Sequence, residues 1–145
     1  MERSFHILLY RAFHAQRNYL RPSMLELGLG AGQPKLLGYL AANGPCQQRH
    51  LADYFDVDPA NISRMVRSLE KGGFVVRQTG MKNSHRDLVE VTEQGRRASE
   101  AWKNRCREAE DVLLRGFTPE ERIHFADYLS RAYQNVQEER RRERS

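Results

Sequence analysis

The stretch LADYFDVDPANISRMVRSLEKGG, residues 51–73, decides the fold of this 145-residue chain. It reads as a short helix, a connection through Asp56-Val57-Asp58, and a second helix ended by Gly72-Gly73. Pro59 suits the first position of that second helix, and Asp58 suits the cap before it. At about 100° per residue, Ile62, Met65, Val66 and Leu69 fall within one narrow arc. Asn61, Arg64, Arg67, Ser68 and Lys71 fall on the opposite side, with Glu70 near its edge. Taken alone, such a face also fits the solvated side of an ordinary amphipathic helix. Its chemistry suits DNA as well: cations for phosphates, and Arg, Asn or Ser for base edges.

The flanking residues decide between these readings. Upstream, Pro34 opens a helix carrying Leu36, Leu37, Tyr39 and Leu40, and Asn43-Gly44-Pro45 stops it. Gln47 opens the next helix, with Leu51, Ala52 and Phe55 inward. Downstream, Phe74-Val75-Val76-Arg77 and Leu88-Val89-Glu90-Val91 are β-prone and enclose a polar segment with Gly80, Asn83 and Ser84. This is a hairpin with Lys82, His85 and Arg86 in its tip and Arg77 at its base. A basic hairpin directly after a helix-turn-helix reads as a wing, spanning about residues 77–87, whose cations suit phosphates or a narrow minor groove. The fold expected is mainly α with a small β-hairpin wing, a winged helix-turn-helix. It is expected as one domain over 1–145, with the lobe at 33–95 and the helical region at 1–32 and 96–145.

The ends of the chain are apolar helices. Residues 4–20 place Phe5, Leu8, Leu9, Ala12, Phe13 and Leu20 at helical spacing, closed near Pro22. Thr92 caps a long helix over about 93–115, with Ala98, Ala101, Trp102, Ala109, Val112 and Leu113 on one side and Gly116 at its end. Thr118, Pro119 and Glu121 open a last helix in a capping-box pattern, striped by Ile123, Ala126, Leu129, Tyr133 and Val136. The terminal EERRRERS is expected to fray. These helices are too long and too apolar to serve only as a lid, so they are read as the dimerisation surface of a two-fold homodimer. A dimer would set two recognition helices about 34 Å apart, matched to successive major grooves.

Composition bounds the rest. Hydrophobic residues make up 39% and charged residues 30%, and the net charge of +5 permits an acidic partner without requiring one. No apolar run reaches the roughly 20 residues of a membrane span, and His6 and Arg11 interrupt any signal-peptide pattern. A cytoplasmic protein with no membrane association is expected. Cys46 and Cys106 have no ligand-like spacing; reduced thiols are expected there, with a redox-sensing cysteine as the alternative. GLGAG at 28–32 lacks a preceding strand and the complete nucleotide-binding fingerprint. No carboxylate pair, metal-ligand cluster or nucleophile–base spacing stands out, so no enzyme, metal or cofactor is expected.

With these elements in order, the chain resembles the multiple-antibiotic-resistance regulator (MarR) family of bacterial winged-helix transcription factors. The resemblance covers nearly the whole chain. It is most specific over LADYFDVDPANISRMVRSLEKGGFVVR, VEVTEQG and FTPEE. It implies a sequence-specific DNA-binding regulator, a homodimer that represses from a pseudo-palindromic operator on double-stranded DNA. Recognition would fall to the helix at about 59–71, with Asn61, Ser63, Arg64, Arg67 and Ser68 as contacts, and to Arg77, Lys82, His85 and Arg86 of the wing. The family's wing usually carries Asp-x-Arg, whereas Asn83-Ser84-His85 occupy those places here. Either Arg86 takes the minor-groove role from one residue later, or His85 makes a weaker, pH-sensitive contact. Many members release DNA on binding a small phenolic or lipophilic effector between the dimerisation helices and the lobe. That location nominates His6, Tyr10, His14 and Tyr39. The competing function is a winged-helix protein–protein interaction module without sequence-selective DNA binding.

Overall fold

A computed structural model of the chain describes residues 3–78 and 88–145. In chain order these residues form α1 (Phe5–Glu26), α2 (Gln33–Asn43), β1 (Cys46–Gln47), α3 (Gln48–Phe55), α4 (Pro59–Lys71), β2 (Val75–Gln78), β3 (Leu88–Val91), α5 (Glu93–Leu113) and α6 (Pro119–Arg144). The strands make one antiparallel sheet in the order β1-β3-β2. The chain divides into two compact units, Met1–Ala109 and Glu110–Ser145.

The first unit is organised by the apolar arc of α4. Ile62, Val66 and Leu69 are each 0% exposed, and Met65 packs half-buried beside them. They share a core with Leu36, Leu37 and Leu40 of α2, Leu51 and Ala52 of α3, Val75, Val89 and Val91 of the sheet, and Ala98 of α5. Each large aliphatic side chain buried in this way contributes roughly 1.5–3 kcal/mol, so the arc fixes which face of α4 is left outward. The turn from α3 to α4 is tight because Asp56 adopts a left-handed conformation, φ 54°, which Asp tolerates better than most residues. Asp58 stands at the N-cap position as expected, but its side chain makes no capping bond; its carbonyl accepts from Ile62 N at 3.1 Å instead.

The far end of α4 is closed by a Schellman arrangement. Phe74 N donates to Leu69 O at 2.9 Å and Gly73 N to Glu70 O at 3.0 Å, which requires the positive φ of 85° at Gly73. The start of α5 is fastened to this corner. Thr92 Oγ1 donates to Gly73 O at 2.7 Å and accepts from Gly95 N at 3.0 Å, so one hydroxyl caps α5 and ties it to the end of α4. Gln94 Nε2 donates to Gly72 O at 3.1 Å, and Thr92 N to Phe74 O at 3.0 Å. A Cβ at Gly95 would stand 2.2 Å from Phe74 O, so the approach is closed to any other residue without movement.

The second unit contains the end of α5 and α6. Thr118 Oγ1 accepts from Glu121 N at 3.1 Å and Glu121 accepts from Thr118 N at 2.8 Å, the expected capping box. Arg122 pairs with Asp111 at 3.3 Å and donates to Leu114 O at 3.2 Å, bracing the turn between the helices. No residue of α6 is buried, and Ile123, Tyr133 and Val136 are exposed.

Three expectations are corrected. Helix α1 does not close near Pro22 but runs through it to Glu26. Proline removes one helical hydrogen bond, yet Met24 and Leu27 pack against the core and hold the last turn in place. The basic tail does not fray: α6 continues to Arg144, with Arg142 paired to Glu138 at 2.8 Å and to Glu139 at 3.7 Å across successive turns. A third strand, β1, was not expected; Cys46 and Gln47 pair with Val89 and Leu88 beyond Pro45. Two residues are too few to carry a period, so only the partner strand defines it.

Two outcomes follow from this packing. Gly95→Ala is expected to lower stability by about 1–3 kcal/mol, the range for forcing atoms into a filled site. A urea unfolding midpoint equal to the parent's would show that the corner yields freely. In β1, burial pushes the Cys46 thiol above its usual value of 9.0, and the thiol donates to Gly44 O at 3.3 Å. A raised pKa means less thiolate at neutral pH, so iodoacetamide should label Cys46 slowly at pH 7 and faster as pH rises through and beyond 9. Rapid labelling at pH 7 would contradict this.

Candidate nucleic-acid interface

Because Ile62, Val66 and Leu69 point into the core, helical geometry turns Asn61, Arg64, Arg67, Ser68 and Lys71 outward, and all five are exposed. Ser63 is half-buried on the flank. The outward groups are linked along the helix. Arg64 donates from Nη2 to Asn61 Oδ1, and Arg67 from Nη2 to Ser63 Oγ at 3.3 Å. Neither arginine is paired with a carboxylate among the described residues. The face is therefore a strip of cations held one turn apart by neutral partners, available to an anion without first breaking an ion pair.

The candidate wing divides. Lys82, His85 and Arg86 lie outside the described residues. Arg77, expected at the base of the contact surface, is directed to α4: its Nε lies 3.5 Å from Glu70 Oε1, and its side chain is 23% exposed. Strand alternation was the available signal, since Val75 on the same face of β2 is buried. Gln78, on the other face, donates to Glu90 of β3 across the hairpin.

The four effector candidates do not form one site. His14 lines a cleft of about 430 Å³ together with Phe13, Arg17, Arg21, Lys35 and Trp102. His6 and Tyr10 line a separate apolar groove along α1 with Phe5, Leu9 and Phe13. Tyr10 stacks on His14 with ring centroids 5.4 Å apart, so the two regions adjoin. Tyr39 belongs to neither lining. Its hydroxyl lies 2.6 Å from His50 Nε2, and its ring packs 4.5 Å from Tyr54 and 5.7 Å from Phe55. The i, i+4 pair His50 and Tyr54 on α3 was the overlooked signal for this cluster. Among the described residues no group of three His, Cys, Asp or Glu could hold a metal ion, and no helix is long and apolar enough to cross a membrane.

Comparisons place this geometry among known proteins. Residues 27–80 match the family model described as MarR family. The chain is 27% identical over 112 residues to the uncharacterized HTH-type transcriptional regulator YybA of Bacillus subtilis (strain 168), covering 77% of this chain and 75% of that protein. The crystal structure of MarR superposes with a TM-score of 0.83 at 28% identity, covering 97% of each chain. That of the transcriptional regulator SlyA gives 0.83 at 26% identity, covering 94% of this chain and 96% of the other. With its winged helix-turn-helix and its outward-facing α4, the chain is thus similar to the MarR family over residues 27–80 and to the folds of MarR and SlyA over nearly its whole length.

Proposed function

We propose that the chain is a cytoplasmic, homodimeric, sequence-specific DNA-binding regulator that represses from a pseudo-palindromic operator, by binding and not by catalysis. The observation carrying this reading is the outward face of α4, where Arg64 and Arg67 stand exposed with only neutral hydrogen-bond partners. In the major groove Arg64, Arg67, Asn61 and Ser68 exchange these partners for base edges and phosphates, with Ser63 on the flank. Lys82, His85 and Arg86 engage the flanking minor groove, with Arg86 as the principal cation. Dimer formation is supported by the apolar surface left open on two helices: Phe5 of α1 is 70% exposed and Ile123 of α6 is 68% exposed. A small phenolic or lipophilic effector is proposed for the cleft at His14, adjoining the groove of His6 and Tyr10. Tyr39 acts elsewhere, within its own aromatic cluster.

Selection of bound fragments from random DNA supplies the operator, and gel-shift titration then tests the face. Arg64→Ala should cost about 1–3 kcal/mol on that operator, roughly a 5- to 150-fold weaker complex. Unchanged affinity would remove Arg64 from the interface. Binding should weaken linearly in log–log terms as salt rises, because phosphate contacts release counterions. A salt-insensitive affinity, or no selected sequence at all, would favour the protein-interaction alternative. Sedimentation should show a dimer, whose loss on Ile123→Glu would locate the interface on α6; a persistent monomer in the parent would overturn the two-fold arrangement.

A further inference from the structure

The pair formed by Glu70 and Arg77 joins the last turn of α4 to the first strand of the wing. On β2, Val75 and Arg77 share one face, while Val76 and Gln78 share the other. Val75 is 1% exposed, so its face is the inner one and Arg77 lies over α4. Arg77 Nε is withdrawn from solvent and has no hydrogen-bond acceptor; at 3.5 Å the Glu70 carboxylate is within ion-pair reach only. Glu70 in turn stands in the final turn of α4, where the aligned peptide dipoles already place partial negative charge. It also borders the face that carries Arg67 and Lys71. Left unpaired, this carboxylate would be repelled by the helix end and by any phosphate approaching the face. With the Glu70 side of the pair 42% exposed, solvent screening leaves it little to add to stability, so stability alone does not account for it.

We propose that Arg77 is a positioning residue for operator binding, acting through Glu70. It holds the last turn of α4 at a fixed angle to β2 and cancels the charge of Glu70, the one carboxylate within α4. This rests on the reading of α4 as the recognition helix. The rival role for Arg77 is a direct phosphate contact, with Glu70 as its competitor. The two roles predict opposite signs for one substitution.

The test measures Glu70→Gln, Arg77→Ala and the double variant of the full chain by fluorescence anisotropy. Each is titrated on the selected operator and on a scrambled duplex at several salt concentrations. As a positioning pair, Glu70→Gln should weaken operator binding about 3- to 10-fold while binding to the scrambled duplex is unchanged or tighter, since a negative charge has been removed. Arg77→Ala should weaken operator binding similarly with an unchanged salt slope, and the double variant should be no worse than the weaker single one. A purely structural role would move both duplexes together and lower the urea midpoint. Tighter operator binding by Glu70→Gln, or a salt slope reduced by about one in Arg77→Ala, would assign Arg77 to a phosphate and overturn the proposal. Wild-type affinity in both single variants would overturn it as well. If the parent chain selects no operator, the recognition-helix reading itself fails, an outcome visible before any variant is made.

Discussion

The corner where α4 ends and α5 begins is the contact on which the other elements depend. Gly73 turns the chain out of α4 with a positive φ, and Gly95 lets the first turn of α5 come against the Phe74 carbonyl. The Thr92 hydroxyl and the Gln94 amide satisfy the Gly73 and Gly72 carbonyls that a helix end leaves open. Because a helix, a strand and a second helix meet within a few residues, none can tilt without breaking bonds made by the others. The direction of α4, and with it the direction in which Arg64 and Arg67 are presented, is set at this corner and by the arc of Ile62, Val66 and Leu69 in the core.

On the proposed reading, the outward face of α4 is linked before it meets DNA. Long side chains lose rotamer freedom on binding, at about 0.5–1.5 kcal/mol each. Arg64 bonded to Asn61, and Arg67 bonded to Ser63, have lost part of that freedom within the free protein. Their partners are neutral, so no charged pair must be broken. Glu70 is the exception on this helix, and its charge is answered from β2. The face thus offers positive charge along its length, with its single carboxylate already compensated.

The apolar surfaces on α1 and α6 raise a different physical problem. Phe5 on α1, and Ile123 and Val136 on α6, are more than half exposed in the single chain. Such surfaces are costly to leave in water when they are contiguous, and a second copy of the chain is the covering that the proposed dimer supplies. Of these helices, α1 also carries the groove and lines the cleft in which His6, Tyr10 and His14 stand. An effector at the proposed cleft would therefore border apolar surface of α1 that the proposed dimer also covers.

Local patterning by itself determined the order of helices, the buried arc of α4, the Thr118 capping box and the glycine corner after Lys71, because each is written in residues within a few turns of one another. The wing's existence was also legible, from two β-prone runs around a polar segment. What tertiary structure decided were the features that depend on distant partners. Strand β1 exists only because β3 passes beside Cys46 and Gln47. Helix α1 passes Pro22 because core packing of Met24 and Leu27 outweighs a lost hydrogen bond. Tyr39 stands apart from the cleft and groove linings because His50, Tyr54 and Phe55 fold around it. Arg77 turned from the solvent to Glu70 because the pleat, fixed by Val75 in the core, gave its side chain no other face. Spacing along a chain specifies which side of an element is apolar, but only the element packed against it specifies what a polar side chain on that side will meet.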